Sequence, residues 1–374
     1  MQAVAPAAAP AVAPSPPAAS ELSALIAATA PGGLLTLTPG KVYPTAGGVN
    51  TTGKAITVDQ TGATIQVQGR GYVKGDHGNK LTLIGGQYVG DGPAIDLDMA
   101  PDFNASDDYL VEDGTFEIDA PWAMKIVGAR EGRCNGNTFK GSGVYMRQAV
   151  CPYFFQSLMI GKRIPGRAAF FYDGAGTGFD AGLVIDTGSA MGWDIGVDVA
   201  RTDFFTMKSY TVDFNTSVNT RLTSQDGGSI DASCYLGSEN NVPALQIVAG
   251  SAPSVPQYTA DFVVSAAFTG HFEGEGYDCV SVEGSPDNIT FSGARFRFYT
   301  RYGIRYALTG GRMTVCNGTD FAPRSGYGKY PIFNAGHEGD SNLFIADDTV
   351  FPPGTDMAGS GLTFARLGKP RGMK

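Results

Sequence analysis

The sequence predicts an all-β protein: a single-stranded right-handed parallel β-helix of about eleven coils, with a short N-terminal capping helix. Three observations support this fold class. Glycine (52 residues) is about twice as frequent as usual and charged residues make up only 17%, which suits short strands broken by tight turns. A strand-turn-strand pattern recurs along the chain, and an amphipathic helix precedes it. We therefore expect a tether over residues 1–19, the β-helix over 20–350 and a C-terminal tail over 351–374.

Residues 1–19 are almost wholly Ala, Val and Pro, and five prolines interrupt the segment. No Lys or Arg precedes Lys41, so the segment lacks the basic start of a secretory signal. We expect an extended, polyproline-II-like tether or attachment peptide. A mature secreted protein whose signal has been removed is the open alternative.

The capping helix is predicted from Glu21 to Ala28, with Ser20 as its N-cap and Pro31-Gly32-Gly33 beyond its end. A strand over residues 34–37 follows, and then the turn Pro39-Gly40. The first coil of a β-helix exposes unpaired strand edges and an open apolar interior. We expect the helix to cover both.

The repeat consists of two or three β-forming residues, a polar or glycine turn, and another aromatic or β-branched residue. Its landmarks are spaced by 28, 28, 46, 22, 57, 27, 24 and 30 residues, and the intervals of 46 and 57 correspond to two coils each. Leucine-rich repeats would need a fixed leucine spacing, and propeller blades need roughly 40–50 residues. The landmarks are Leu83, Val111, Phe139, Ile185, Met207, Val264, Phe291, Val315 and Ile345.

Composition argues against several classes of function. The net charge of −9 and the absence of a Lys/Arg cluster before the last few residues argue against nucleic acid as a partner. No apolar run reaches the roughly 18 residues of a membrane span, so membrane insertion is not expected. The five cysteines and three histidines lack metal-ligand spacing, so we expect no metal and no cofactor, and the cysteines are predicted to be small buried residues.

The densest acidic stretch places Glu273 and Glu275 two residues apart, between His271 and Tyr277. On a strand, both carboxylates would point to one face with Cβ atoms about 7 Å apart. Glycoside hydrolysis uses two carboxyl groups about 5–9.5 Å apart, so this pair is the leading catalytic candidate. The alternative is a solvated outer strand face.

A second acidic region offers Asp194 as a catalytic candidate, with Trp193 beside it as a platform for a sugar ring or as a buried anchor. Trp122 follows Ala120-Pro121 and is expected to be exposed and to bind carbohydrate. Residues one coil apart stack vertically, so Asp186 and Asp213 are also predicted to converge.

The stretch from Arg295 to Tyr302 alternates basic and aromatic residues and is predicted to send Arg297, Tyr299 and Arg301 to one face with Arg295. An acidic polysaccharide would find partners there. In a polysaccharide lyase, Arg297 and Arg301 would be the catalytic candidates. A solvated outer strand or a subunit interface explains the pattern equally well.

The order of helix, Pro-Gly-Gly, strand, Pro-Gly turn and aromatic residue over residues 20–43 resembles the start of the pectate-lyase-like β-helix superfamily. The polygalacturonase motifs are incomplete here, because Gly270-His271 is followed by Phe272, so that catalysis is not carried over. The irregular coils and the short attachment segment resemble bacteriophage tailspikes and tail-fibre depolymerases.

That resemblance implies a virion surface protein that binds, and in the enzymatic case depolymerises, a host surface polysaccharide. It also implies virion proteins as partners of the N-terminal segment, and a homotrimer, for which exposed aromatic residues are a further reason. A monodisperse monomer in light scattering would contradict the trimer. A secreted polysaccharide lyase or hydrolase and a non-enzymatic capsid-decoration or adhesin module are the alternatives.

Overall fold

The computed structural model describes residues 20–102, 107–174, 182–224, 226–231, 233–237, 241–249, 261–264, 267–268, 277–286, 288–328, 330–336, 343–355, 360 and 371–373. These residues form a parallel β-solenoid with one short helix at its N-terminal end, which confirms the predicted fold class. All paired strands run parallel apart from an isolated antiparallel bridge within the described residues.

The helix spans Glu21–Ala28 and begins as predicted, because the Ser20 side chain accepts a hydrogen bond from the Ser23 backbone amide at 3.2 Å. Leu22 and Ile26 are buried against the first coil. The Lys54 Nζ donates to the carbonyls of Ile26 and Ala27 at the helix C-terminus, where the backbone lacks partners of its own. The helix therefore covers the open end of the solenoid.

One face of the solenoid is a twelve-stranded sheet, to which each coil contributes one strand, so its strands define eleven coil-to-coil steps. We call its outer surface the twelve-stranded face. Its strands are Val49–Asn50, Tyr72–Lys74, Ile95–Asp98, Trp122–Val127, Gly143–Arg147, Ala168–Asp173, Ile195–Ala200, Val218–Thr223, Leu245–Ala249, Val280–Gly284, Tyr302–Leu308 and Tyr330–Asn334.

The other two faces belong to a nineteen-stranded sheet that bends round a corner, and to a five-stranded sheet that continues it toward the C-terminus. The nineteen strands are Leu34–Thr36, Val42–Pro44, Ile56–Asp59, Thr64–Val67, Leu81–Ile84, Gln87–Gly90, Tyr109–Glu112, Thr115–Ile118, Arg133–Asn135, Thr138–Lys140, Tyr153–Ile160, Val184–Met191, Asp203–Asp213, Asp226–Ile230, Tyr235–Leu236, Asp261–Val264, Asn288–Ser292, Met313–Cys316 and Leu343–Ile345. The five are Ala267–Phe268, Arg295–Arg297, Asp320–Ala322, Val350–Thr355 and Arg371–Met373.

The repeat landmarks form one vertical row with a single exception. The paired positions run Val58, Leu83, Val111, Cys134, Phe154, Ile185, Met207, Ile230, Val264, Phe291, Val315 and Ile345. Phe139 lies instead in the neighbouring row, where its ring stacks on Phe116 with centroids 4.7 Å apart. The interval of 57 residues contains two coils, as predicted, with Ile230 as the intermediate position.

A left-handed backbone residue marks the corner between the two arms of the nineteen-stranded sheet. Gly85 and Gly136 occupy it in two coils, with φ of 68° and 65°. Gln156, Thr187 and Ser209 occupy it in three others, although this conformation normally favours glycine. Because these coils stack in register, the neighbouring coils impose the corner. The position of the corner therefore cannot be recognised from the residue type alone.

The cysteines only partly follow the prediction of buried residues. Cys134, Cys234 and Cys279 are buried, Cys316 is partly exposed, and Cys151 is exposed at a corner with φ of 50°. Among the described residues, no helix is long and apolar enough to cross a membrane.

Candidate functional site

The twelve-stranded face carries a continuous row of aromatic, charged and uncharged polar side chains. Strand alternation sends every second residue of each coil outward, and the parallel register stacks these residues. Seven coil-to-coil steps of about 4.8 Å give this row a length of about 34 Å. The row runs Tyr145, Phe171, Asp198, Arg221, Gln246, Ser281, Arg305 and Phe333.

A groove of about 380 Å³ opens on this face near the C-terminal half of the solenoid, and we call it the arginine groove. Three consecutive strands of the twelve-stranded sheet, and the residues just before them, line the groove: Leu245–Ala249, Val280–Gly284 and Tyr302–Leu308. The residues that give it its chemistry are Gln246, Tyr277, Asp278, Glu283, Arg301 and Arg305.

Asp278 and Arg301 form a two-pronged ion pair across neighbouring coils. Arg301 donates from Nε to Oδ1 at 2.8 Å and from Nη2 to Oδ2 at 2.5 Å. The Asp278 side chain is 0% exposed and that of Arg301 is 34% exposed. Burial raises the pKa of Asp278, and the hydrogen bonds and charge of Arg301 oppose this shift without cancelling it.

The Arg301 guanidinium lies over two tyrosine rings, Tyr277, which lines the groove, and Tyr302. The guanidinium carbon lies 3.6 Å from the centroid of the Tyr277 ring and 4.9 Å from that of Tyr302. The Tyr302 ring stacks in turn on Phe333, with centroids 4.3 Å apart. The groove wall is therefore aromatic and polar at once.

Arg305 forms the second ion pair of the groove. Its Nη1 donates to Glu283 Oε1 at 2.9 Å and to Ser281 Oγ at 3.4 Å. The Glu283 side chain is 51% exposed, so this pair lies at the groove mouth in contact with water. Hydrogen-bond donors and acceptors thus lie side by side in the groove.

A second set of rings lies farther toward the N-terminus on the same face, and we call it the aromatic platform. Tyr145 and Phe171 stack with centroids 5.5 Å apart and an interplanar angle of 7°. Trp122 packs against both, at 5.5 Å and 6.1 Å. All three rings are half-buried, so each keeps only part of its surface in water, and Trp122 is less exposed than the sequence predicted.

Glu273 and Glu275, the leading catalytic pair, lie outside the described residues. Their catalytic role stays a prediction. Among the described residues, no group of three or more His, Cys, Asp or Glu side chains is arranged to hold a metal ion.

Asp194 joins neighbouring coils at a turn instead of lining the groove. Its carboxylate accepts hydrogen bonds from the Gly166 amide and the Thr216 hydroxyl at 2.7 Å each, and from the Ser217 hydroxyl. Burial raises the pKa of Asp194, but these hydrogen bonds outweigh it and hold the pKa below its usual range. A carboxylate whose oxygens accept these hydrogen bonds stabilises the turn and is unsuited to donating a proton.

The structure places Trp193 in the core, where its side chain is 1% exposed. The indole Nε1 donates to the Met159 carbonyl at 3.1 Å. Trp193 therefore offers no ring face to a sugar, and of the two interpretations of the sequence the buried anchor is correct.

The prediction that the Arg295–Arg301 stretch presents one face is wrong. The strand Arg295–Arg297 ends there, and Phe298 adopts a left-handed φ of 54°, which reverses the alternation. Tyr299 is consequently buried, while Arg297 pairs with Asp320 on the five-stranded sheet. Only Arg301, at the start of the next strand, reaches the arginine groove.

The predicted Asp186 and Asp213 stack is also wrong. Asp186 pairs in register with Lys208, and Asp213 pairs with Met191, so the two aspartates stand in different rows. Two residues separated by about one coil length do not stack when the bend of the strand shifts their register.

Sequence reasoning missed Asp278, Glu283, Arg305 and Gln246. A usable signal was present in opposite charges separated by one coil: Asp278 and Arg301 are 23 residues apart, and Glu283 and Arg305 are 22 apart. Asp198 and Arg221, farther along the face, repeat the spacing of 23. In a parallel solenoid such a spacing places the two side chains on neighbouring coils, and opposite charges at that spacing mark a candidate ion pair.

The fold and the groove define the protein as a parallel β-solenoid with an aromatic and polar surface along one face. No protein-family model matches the chain, and no curated protein matches it. Among solved structures, ORF18 of Geobacillus virus E2 is similar, with 12% sequence identity and a TM-score of 0.43. The alignment covers 85% of this chain and 58% of that chain, so this chain spans less than two thirds of that protein's length.

Proposed function

We propose that this protein is a tailspike-like virion surface protein that binds a host surface polysaccharide along the twelve-stranded face. The observation that carries the proposal is the arginine groove, where Tyr277, Gln246 and two arginine–carboxylate pairs surround one cleft. Sugars are bound by stacking on aromatic rings and by hydrogen bonds to planar polar groups. The groove supplies both within a few ångströms.

The length of the face supports a polymeric ligand. The row from Tyr145 to Phe333 extends for about 34 Å, far beyond a single sugar ring. The aromatic platform of Trp122, Tyr145 and Phe171 provides a second stacking area on the same surface. A chain molecule lying along the solenoid would contact both areas and gain from their simultaneous engagement.

Cleavage of the bound polysaccharide remains a separate hypothesis. The catalytic candidates for it stay Glu273 and Glu275, because Asp278 in the groove wall is engaged as a carboxylate by two hydrogen bonds from Arg301. Incubation with a bound polysaccharide, followed by assays for reducing ends and for an unsaturated product, separates hydrolysis, elimination and binding alone. Absence of both products at full binding would leave a receptor-binding role.

Replacing Tyr277 with alanine is expected to weaken glycan binding about tenfold or more, because the change removes a stacking surface and loosens Arg301. Binding is measured on an array of bacterial surface glycans, with affinity from titration of the best ligand. Tyr327→Ala is the matched control, since Tyr327 also lies beside an arginine, Arg324, but outside the groove. Equal binding by wild type and Tyr277→Ala would show that the glycan-binding site lies outside the arginine groove. If wild type binds no glycan, the proposed function is contradicted.

A further inference from the structure

The positive charges of the arginine groove are already neutralised by the protein itself. Arg301 is engaged by Asp278 with two hydrogen bonds, and Arg305 is engaged by Glu283. The same arrangement recurs farther along the face, where Arg221 donates to both carboxylate oxygens of Asp198 at 3.0 Å and 2.5 Å. Each carboxylate lies on the coil preceding that of its arginine.

An acidic polysaccharide would need cations that are free to face it. A uronate carboxylate placed beside Arg305 would lie close to the half-exposed Glu283 and would meet like-charge repulsion there. The formal net charge of −9 adds a general repulsion of polyanions. The groove therefore lacks the electrostatic attraction that a polyanion-binding site requires.

Hydroxyl groups suit the same surface well. A hydroxyl both donates and accepts, and an arginine beside a carboxylate offers a donor and an acceptor side by side. The contacts of Arg305 with described residues use only Nη1, and those of Glu283 use only Oε1. Other nitrogens of Arg305 and the second oxygen of Glu283 are thus available to neighbouring sugar hydroxyls.

We infer that the arginine groove selects an uncharged glycan, with sugar hydroxyls bound by the paired arginines and carboxylates and the ring face directed to the aromatic wall. The inference rests on the proposed function and names the substrate class of that site. It departs from the sequence-based expectation of an acidic polysaccharide, which treated the arginines as free cations.

The first test compares ligands and salt. Wild-type protein is applied to an array that carries neutral, uronate-containing and sialylated glycans, in sodium chloride of about 0.1 M and about 1 M, where the screening length falls from about 10 Å to about 3 Å. We expect neutral glycans to be bound, with less than about a twofold change in affinity between the two conditions. A preference for uronate or sialylated glycans that is lost at high salt would overturn the inference while leaving the proposed function standing.

The second test removes the negative charge that is paired with Arg305. Glu283→Gln is nearly isosteric and removes the charge that neutralises Arg305, so binding of uronate glycans is expected to rise about tenfold at low salt and to lose this gain at high salt. Glu117→Gln makes the same change of net charge at a 45% exposed glutamate that lies near Lys140 and Lys162 on another face, and it should leave binding unchanged. Equal effects of the two variants, or no gain by Glu283→Gln, would show that the ion pair does not set the ligand class. Failure of wild type to bind any glycan would instead contradict the proposed function.

Discussion

Replacing Trp193 with alanine is expected to lower the free energy of unfolding by about 3–5 kcal/mol, as removal of a fully buried large aromatic side chain does. The indole fills the interior near a corner, and its Nε1 satisfies the Met159 carbonyl. The backbone amide of Trp193 is fixed as well, by Asn215 Oδ1 at 2.8 Å. Loss of the ring leaves both a cavity and an unpaired acceptor.

Chemical denaturation measures this change, and Trp122→Ala provides the matched comparison with the chain's other tryptophan. Trp122 is half-buried on the aromatic platform, so its loss should cost only about 1–2 kcal/mol. Under the proposed function, Trp122→Ala lowers glycan affinity, whereas Trp193→Ala retains affinity at a temperature where it is folded. A stable Trp193→Ala variant that no longer binds glycan would refute the buried placement.

Replacing Arg301 with alanine is expected to reduce both stability and glycan binding. The change leaves the Asp278 carboxylate buried and unpaired, which costs about 3–5 kcal/mol in a fully buried pair. Because Arg301 is 34% exposed, water screens part of this loss and we expect about 2–3 kcal/mol at pH 7. Glycan affinity should fall about tenfold or more, since Tyr277 loses its stacking partner.

The pH dependence of Arg301→Ala follows from the direction of the Asp278 shift. Burial already raises the pKa of Asp278, and removal of Arg301 raises it further. A carboxyl with a raised pKa in the folded state destabilises that state when it ionises, so the penalty is absent below the ordinary pKa of about 4 and complete above the folded-state pKa. The variant should therefore approach wild-type stability near pH 4 and differ most at neutral pH.

Two further variants separate this cause from a general loss of charge. Arg297→Ala breaks a pair with Asp320 on the five-stranded sheet, where the carboxylate is 29% exposed, so a smaller loss of about 1 kcal/mol and unchanged binding are expected. Arg301→Ala combined with Asp278→Asn should recover stability, because no buried charge is left unpaired. A double variant as unstable as the single one would mean that packing of the Arg301 stem, and not its charge, is responsible.

Much of the fold was predictable because apolar residues recur along the sequence with the period of the coils. Leu83, Val111 and Ile185 belong to one buried row, since a residue that faces the core in one coil lies above its counterpart in the next. The capping helix was predictable for a local reason: Ser20 and the glycines after Ala28 define its two ends.

The candidate site was less predictable, because it depends on register. Arg301 was identified and Arg297 was grouped with it, yet one left-handed residue, Phe298, sends them to different sheets. Asp278 and Arg305 were overlooked because their partners, Arg301 and Glu283, lie a whole coil away in the sequence.

The sequence by itself determined the solenoid, its helical lid and its approximate number of coils, because these depend on alternation and on a period that local residues encode. Only the tertiary structure decided which side chains meet. Coils differ in length and bend at corners imposed by their neighbours, so the spacing of two residues does not fix their row until the strands are paired. That pairing buried Trp193 and Tyr299, and it gave Arg297 and Arg301 of the predicted cationic stripe the carboxylate partners Asp320 and Asp278.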